Sequence, residues 1–209
     1  MLLIESPHNE RFKKLLKLST DNKFRRKSKL FIIEGLKEIR AALEHNYELE
    51  EVYIDDKYKT AFPEKEFDQV SVTILKHDLF SRLVYREDAS YILAVLKEPV
   101  LDLSQIQLPE NPLIIILENI EKPGNLGALL RTCDAVGADA VILSQDHHNF
   151  FHPNVIRSSV GTVFSNQIAY AGAEEIKLWC KENNIKVYAA ALQTDKFYTD
   201  MDYTSGTAF

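Results

Sequence analysis

Only two cysteines occur in the 209 residues. Cys133 and Cys180 fall on predicted helices and stand in no paired or zinc-type spacing, so no disulfide is expected and a reducing compartment is implied. Long apolar runs are missing as well. The start, MLLIESPHNERF, has too short an apolar stretch for a secretory signal, and no segment approaches the roughly 20 apolar residues of a membrane-spanning helix. A cytoplasmic location with no membrane partner is the default expectation. Internal repeats and low-complexity segments are absent. So are the glycine signatures of nucleotide binding. In KPGNLG (122–127) no lysine followed by serine or threonine comes after the glycines, and Gly124 and Gly127 lack dinucleotide-fingerprint spacing. His147, His148 and His152 crowd one loop but have no cysteine or carboxylate partner at ligand spacing, so no metal site is expected.

Charge is present but unevenly placed. Residues 11–40 hold eleven basic and three acidic side chains, a local excess of +8 that leaves −14 for the rest of a chain of net charge −6. A basic head on an acidic body can meet a phosphate backbone through the head alone, with Arg25, Arg26, Lys27 and Lys29 as its centre. A solvated helix face would have the same composition.

Strands and helices alternate along the first hundred residues. Ser6 as N-cap, Pro7 at the first helical position and Phe12, Leu15, Leu16 and Leu18 on one face predict a helix running to Thr20. Leu30–Ile33 reads as a buried strand, Leu36–Leu43 as an amphipathic helix, and Val52–Ile54, Val70–Leu75 and Tyr91–Leu96 as strands, with a short helix at His77–Leu83. This is a small α/β domain over residues 1–98. Pro99, Pro109 and Pro112 interrupt a stretch without periodicity, placing a linker at 99–111 and a second domain at 112–209.

That second domain opens on the most informative segment, LIIILENIEKPGNLGALLRTCDAVGADAVILS (113–144). Leu113–Leu117 has the unbroken apolar character of a parallel strand buried on both faces. A polar loop follows, then a helix from Leu126 ending at Gly137, then a strand at Ala140–Leu143, with the loop at the carboxyl edge where open α/β sheets bind ligands. Asn125 suits the N-cap of that helix, and Arg131 suits a surface ion pair with Asp134 or Glu118. Both equally suit a ligand-facing pair. Farther on, Pro153–Val160 reads as a short helix, Thr162–Ala169 as a strand, Ala173–Glu182 as a helix and Lys186–Leu192 as a strand. A last strand begins at Thr207. Phe150 and Phe151 suit either base stacking or a core, and Arg157, Ser158 and Ser159 either an RNA contact or an exposed helix end.

ENIEKPGNLGALLRTCDAVGADAVIL resembles the first motif of the SpoU (TrmH-like) class of SPOUT RNA 2′-O-ribose methyltransferases, in which an asparagine and an arginine stand six residues apart. NVIRSSVGTVFSNQ resembles the second motif. SPHNERFKKLLKLS, the basic run and FIIEGLKEIRAAL resemble the ribosomal-protein-L30e-like substrate-binding domain that precedes it in many members. The resemblance implies an L30e-like α/β domain followed by a SPOUT-type (α/β knot) parallel-sheet domain, with S-adenosylmethionine as methyl donor and RNA, rRNA ahead of tRNA, as substrate. A homodimer is implied too. Arg131 would assist deprotonation of a ribose 2′-hydroxyl and hold the adjacent phosphate, with Asn125 orienting it; Arg157 would contact RNA. Leu192 and Gln193 would contact the donor's adenosine. A free guanidinium is a poor base, so Arg131 would need strong help from neighbouring charge. The family's third motif, which builds most of the donor pocket and the trefoil knot, has no counterpart before Phe209. The resemblance therefore implies a domain shortened at its C-terminus and inactive as it stands.

Overall fold

The computed structural model describes residues 1–85, 90–144, 149–192 and 194–209. Two five-stranded sheets carry the architecture. The first contains β1 (Leu2–Ile4), β2 (Leu30–Glu34), β3 (Leu49–Asp55), β4 (Ser71–Leu75) and β5 (Ile92–Lys97) in the order β1-β4-β3-β5-β2. β1, β4 and β3 run parallel, while β5 is antiparallel to both its neighbours.

Successive residues of these strands point to opposite faces, and two cores result. Ile32, Tyr53, Leu93 and Val95 face α1 (Glu10–Thr20), from which Phe12, Leu15 and Leu18 descend; Leu79 and Phe80 of the short α4 (His77–Phe80) join the same core. Phe31, Ile33, Val52, Ile54, Ile92 and Ala94 face the other way, onto α3 (Leu36–Glu44) and the second domain.

Three local expectations change. Asn9, not Ser6, caps α1, its side chain accepting the Arg11 amide. The basic stretch is itself a helix, α2 (Asn22–Ser28), capped by Asp21 and ended by Lys29 in the left-handed region at φ 53°. Leu2–Ile4 forms an edge strand too short for periodicity to reveal.

The second sheet is wholly parallel. It joins β6 (Leu113–Leu117), β7 (Ala140–Leu143), β8 (Ile168–Tyr170), β9 (Lys186–Val187) and β10 (Thr207–Ala208) in the order β8-β7-β6-β10-β9. Ile114, Ala140, Ile142, Ala169 and Ala208 face α8 (Ala173–Glu182), which contributes Ile176 and Cys180. The opposite face carries Leu117, Val141 and Leu143 beneath α5 (Pro123–Val136), α6 (Pro153–Ser159) and α7 (Thr162–Ser165).

Thr162–Ser165 is thus helical, and the strand expected at Thr162–Ala169 is confined to Ile168–Tyr170. The strand expected at Lys186–Leu192 has only Lys186 and Val187 in the ladder. Ala189–Ala191, which extend the apolar run, are exposed and lie outside the ladder.

The two domains share one core. Phe31 of the first sheet stacks on Phe151 at 4.2 Å, and Tyr47 meets Phe151 and Phe164 edge-on at 5.7 and 5.1 Å. Phe150 and Phe151 are completely buried, so the base-stacking alternative does not apply to them. The linker is also tied down: the Tyr170 amide donates to the Leu101 carbonyl, and Gln167 exchanges hydrogen bonds with the Gln107 backbone. Among the described residues no helix is long and apolar enough to cross a membrane. Both cysteines are free and buried, and burial raises both thiol pKa values, which makes them poor nucleophiles.

Candidate active site

Helix α5 begins earlier than its apolar periodicity suggests. Lys122 is the N-cap and Pro123 occupies the first helical position, where a missing N–H costs nothing. Asn125 therefore lies in the first turn and is not the cap. Its amide donates to the Lys122 carbonyl at 3.0 Å, and its side chain is exposed. Arg131 is on the same helix, six residues or about 9 Å farther along the axis and roughly a third of a turn around it.

Arg131 is exposed and makes no hydrogen bond or ion pair among the described residues. The neighbour expected to neutralise it is engaged elsewhere, since Asp134 accepts from the Ser165 hydroxyl at 2.6 Å. Asn125 and Arg131 thus present an amide and an uncompensated cation on one solvent-facing surface.

What holds that surface is a close helix crossing. A Cβ on Gly127 would stand 1.9 Å from Ser158 Oγ and 2.8 Å from the Ser159 amide, so only glycine permits α5 and α6 to approach this closely. Sequence reading took Gly127 only as part of a loop signature and missed this role. Its i+3 relation to Leu130 on the buried face was the available signal.

Ser159, one of the expected RNA contacts, is fully buried and donates to the Ile156 carbonyl, so it serves this packing instead. Val160 follows at φ 56° and Gly161 at φ 90°. A β-branched residue in the left-handed region is strained, and here it turns α6 sharply into α7. Asn166, also missed, secures the turn from within by donating to the Leu130 carbonyl at 3.2 Å.

Arg157 is half-buried. Its guanidinium carbon lies 3.6 Å over the Tyr85 ring, and its Nη2 donates to the Asn154 side chain. The second-motif arginine therefore docks on the N-terminal domain.

The basic head is revised in one important member. Arg25 is 1% exposed and donates to the Leu18 carbonyl at 2.6 Å, with burial lowering its pKa. It is a core residue and no surface RNA contact. Lys27 is exposed, Arg26 is half-buried, and Lys29 projects into solvent while pairing with Glu98 at 2.9 Å.

At the donor side Leu192 is 96% exposed and forms no pocket wall, and Gln193, His147 and His148 lie outside the described residues. His152 is the N-cap of α6. The carboxyl edge of the second sheet does hold a buried polar atom with no partner among the described residues: Ser144 Oγ, directly after β7. Tyr188 and Phe209 follow β9 and β10 at the same edge, their rings 5.9 Å apart. An unpartnered hydroxyl and a pair of rings along one strand edge fit a ligand with a polar group and an aromatic base.

Comparison with known proteins places this geometry. The SpoU rRNA methylase family model matches residues 112–209, and the MRM3-like substrate-binding domain matches residues 9–94. The 23S rRNA (guanosine(2553)-2′-O)-methyltransferase RlmP of Bacillus subtilis is 29% identical over 208 residues, covering 100% of this chain and 81% of that protein. A solved RNA 2′-O ribose methyltransferase is 29% identical with a TM-score of 0.78, covering 99% of this chain and 81% of that one. The SpoU methyltransferase AviRb of Streptomyces viridochromogenes, solved with AdoMet, shares the fold at a TM-score of 0.88 and 24% identity, over 96% of this chain and 80% of that one. Residues 112–209 thus carry the pattern of the SpoU rRNA methylase family, with an MRM3-like substrate-binding domain ahead of them.

Proposed function

We propose that the protein transfers a methyl group from S-adenosylmethionine to a ribose 2′-hydroxyl of ribosomal RNA. The observation that carries this reading is the exposed Arg131, unneutralised among the described residues, on the same helix as Asn125, a helix pinned by Gly127. A cation without a carboxylate partner is available to a phosphate, and a guanidinium can hold two phosphate oxygens at once. Held next to a 2′-hydroxyl, the same positive charge favours the alkoxide that must develop there. Asn125, one to two turns before it, supplies a neutral donor and acceptor to orient the ribose. The protein's own contribution is thus positioning and charge.

Ser144, Tyr188 and Phe209 are the described residues suited to hold S-adenosylmethionine, which when bound supplies an electrophilic methyl group and departs as a neutral thioether. Lys27, Lys29 and Arg26 on α2 and its end would meet the RNA backbone. We place the enzyme in the cytoplasm, in keeping with its reduced, buried thiols, and as a homodimer; Leu192, Phe197 and Tyr198 are 96, 73 and 80% exposed near the β9 edge, an apolar surface of the kind that partners cover.

Incorporation of labelled methyl from S-adenosylmethionine into ribosomal RNA tests the reading. Arg131→Ala is expected to reduce transfer by 10²-fold or more, on the order of a lost charge-stabilising donor, while RNA affinity stays within about threefold. Undiminished transfer would remove Arg131 from the mechanism. RNA binding without any transfer by the wild type would favour a non-catalytic RNA-binding protein.

A further inference from the structure

A cleft of about 420 Å³ lies where the two domains meet, lined by side chains from both. It does not include Asn125 or Arg131. Its floor is apolar, with Ile32, Leu83, Leu93 and Ile156. Its rim holds charged groups of both signs that have no partner among the described residues.

Glu38, half-buried at the start of α3, makes no hydrogen bond or ion pair among the described residues. Arg82 on the same rim rests over the Phe12 ring at 5.3 Å and pairs with no described carboxylate. His152 accepts the Asn154 amide at Nδ1, 3.1 Å away, so the neutral ring carries its proton on Nε2, which no described group accepts. The same cleft is lined by the Tyr85–Arg157 stack, a planar platform contributed by both domains, with Tyr85 70% exposed. Its backbone is fixed where the Tyr85 amide donates to the Glu34 carboxylate at 3.0 Å.

A rim of cations alone would suit any anion. This rim also offers a carboxylate unpaired among the described residues, which accepts hydrogen bonds only, and a flat aromatic–guanidinium surface. The ligand that complements all three has a planar ring, adjacent N–H donors and a phosphate. Guanine is the RNA base with two neighbouring donors on one edge, N1–H and N2–H, matched to a single carboxylate. We infer that the interdomain cleft is a subsite for one unpaired guanosine of the RNA substrate, stacked at Tyr85–Arg157, read by Glu38 and held by its phosphate at Arg82 and His152. The inference rests on the RNA-methyltransferase reading but concerns a nucleotide other than the methylated one, since the Arg131 surface lies outside the cleft.

The test uses the full chain and two labelled single-stranded RNAs, a uridine tract with one central guanosine and the same tract with adenosine there. Fluorescence anisotropy is expected to give about tenfold tighter binding of the guanosine RNA, a difference of roughly 1.4 kcal/mol. Glu38→Gln, whose amide puts a donor in place of one of the two acceptors, should bring the two RNAs to within twofold, and Tyr85→Leu should weaken both by about tenfold. Circular dichroism verifies that each variant is folded. Equal affinity of the wild type for both RNAs, or a preference that survives Glu38→Gln, would overturn the inference. Guanosine 5′-monophosphate is expected to compete only at millimolar concentration; micromolar binding that leaves RNA bound would assign the cleft to a free nucleotide and overturn it too. Methyl transfer is measured in parallel: transfer without guanosine preference refutes the subsite alone, whereas absence of any RNA binding refutes the enzyme reading as well.

Discussion

Single side chains decide how the basic head works. Arg25 stands among ten other cations in residues 11–40, yet it is buried with its Nε unpartnered among the described residues. Arg25→Ala is expected to cost about 2–4 kcal/mol in urea unfolding, through lost packing and the abandoned Leu18 carbonyl, and to leave the salt dependence of RNA binding unchanged. Lys27→Ala should do the reverse, leaving stability within about 0.5 kcal/mol while reducing the salt slope by about one. His152 carries a pH signature. Its pKa is held below the ordinary 6.5 by burial first, then by the charges of Arg25 and Arg157. The unfolded chain therefore takes up a proton before the folded one, so this residue's contribution to stability is complete above about pH 6.5 and is lost as pH falls toward the lower folded value. Removal of the imidazole by His152→Asn, which keeps a capping side chain, is expected to flatten the stability profile on the acid side of pH 6.5 in denaturant titrations. An unchanged profile would mean that His152 titrates normally.

At the level of elements, the crossing of α5 and α6 is the most demanding contact. Gly127→Ala forces a methyl group into Ser158 and the Ser159 backbone, and the loss should be about 1–3 kcal/mol with a matching loss of methyl transfer. Adding Ser158→Ala should recover only part, because the backbone amide of Ser159 stays 2.8 Å from the new atom. Such contacts explain what could and could not be read in advance. β6, β7 and α8 were legible because each carries a long unambiguous pattern, an unbroken apolar run or a 3.6-residue stripe. β1 is too short to display any period, and its strand character comes from pairing; the strands expected from Lys186 and Thr207 do form, but with only two residues each in the ladder. Thr162–Ser165 has β-branched and aromatic residues suited to a strand, but the left-handed pair Val160–Gly161 redirects the chain and packing on α5 makes it helical. Of the candidate site, Asn125 and Arg131 were legible through their motif, while the Tyr85–Arg157 platform was not: its members are 72 positions apart, and only the docking of the domains brings them together.

As a whole, the molecule behaves as two sheets joined by one aromatic seam. Phe151→Ala removes the ring stacked on Phe31 and is expected to cost about 3–5 kcal/mol. It should also separate the unfolding of the two domains. Trp179, the only tryptophan, lies on α8 of the second domain, so its fluorescence midpoint should part from the far-ultraviolet circular dichroism midpoint. Coincident midpoints in the variant would mean that the remaining seam suffices. The position of β10 bears on how such a chain is made. It lies between β6 and β9, and Thr207 pairs with Leu113, which precedes it by 94 positions. During synthesis the first sheet has all its strands once Lys97 has emerged, but the apolar edge of β6 remains open until residues near Thr207 arrive, and β9 has no neighbour until then. The N-terminal domain can thus form early, its pairing of Leu2 with Thr73 complete well before Thr207 is made, while the second sheet must wait for its longest-range pairing. For that interval a five-residue aliphatic strand edge is unprotected, and it is there that chaperone binding or aggregation of the newly made protein should begin.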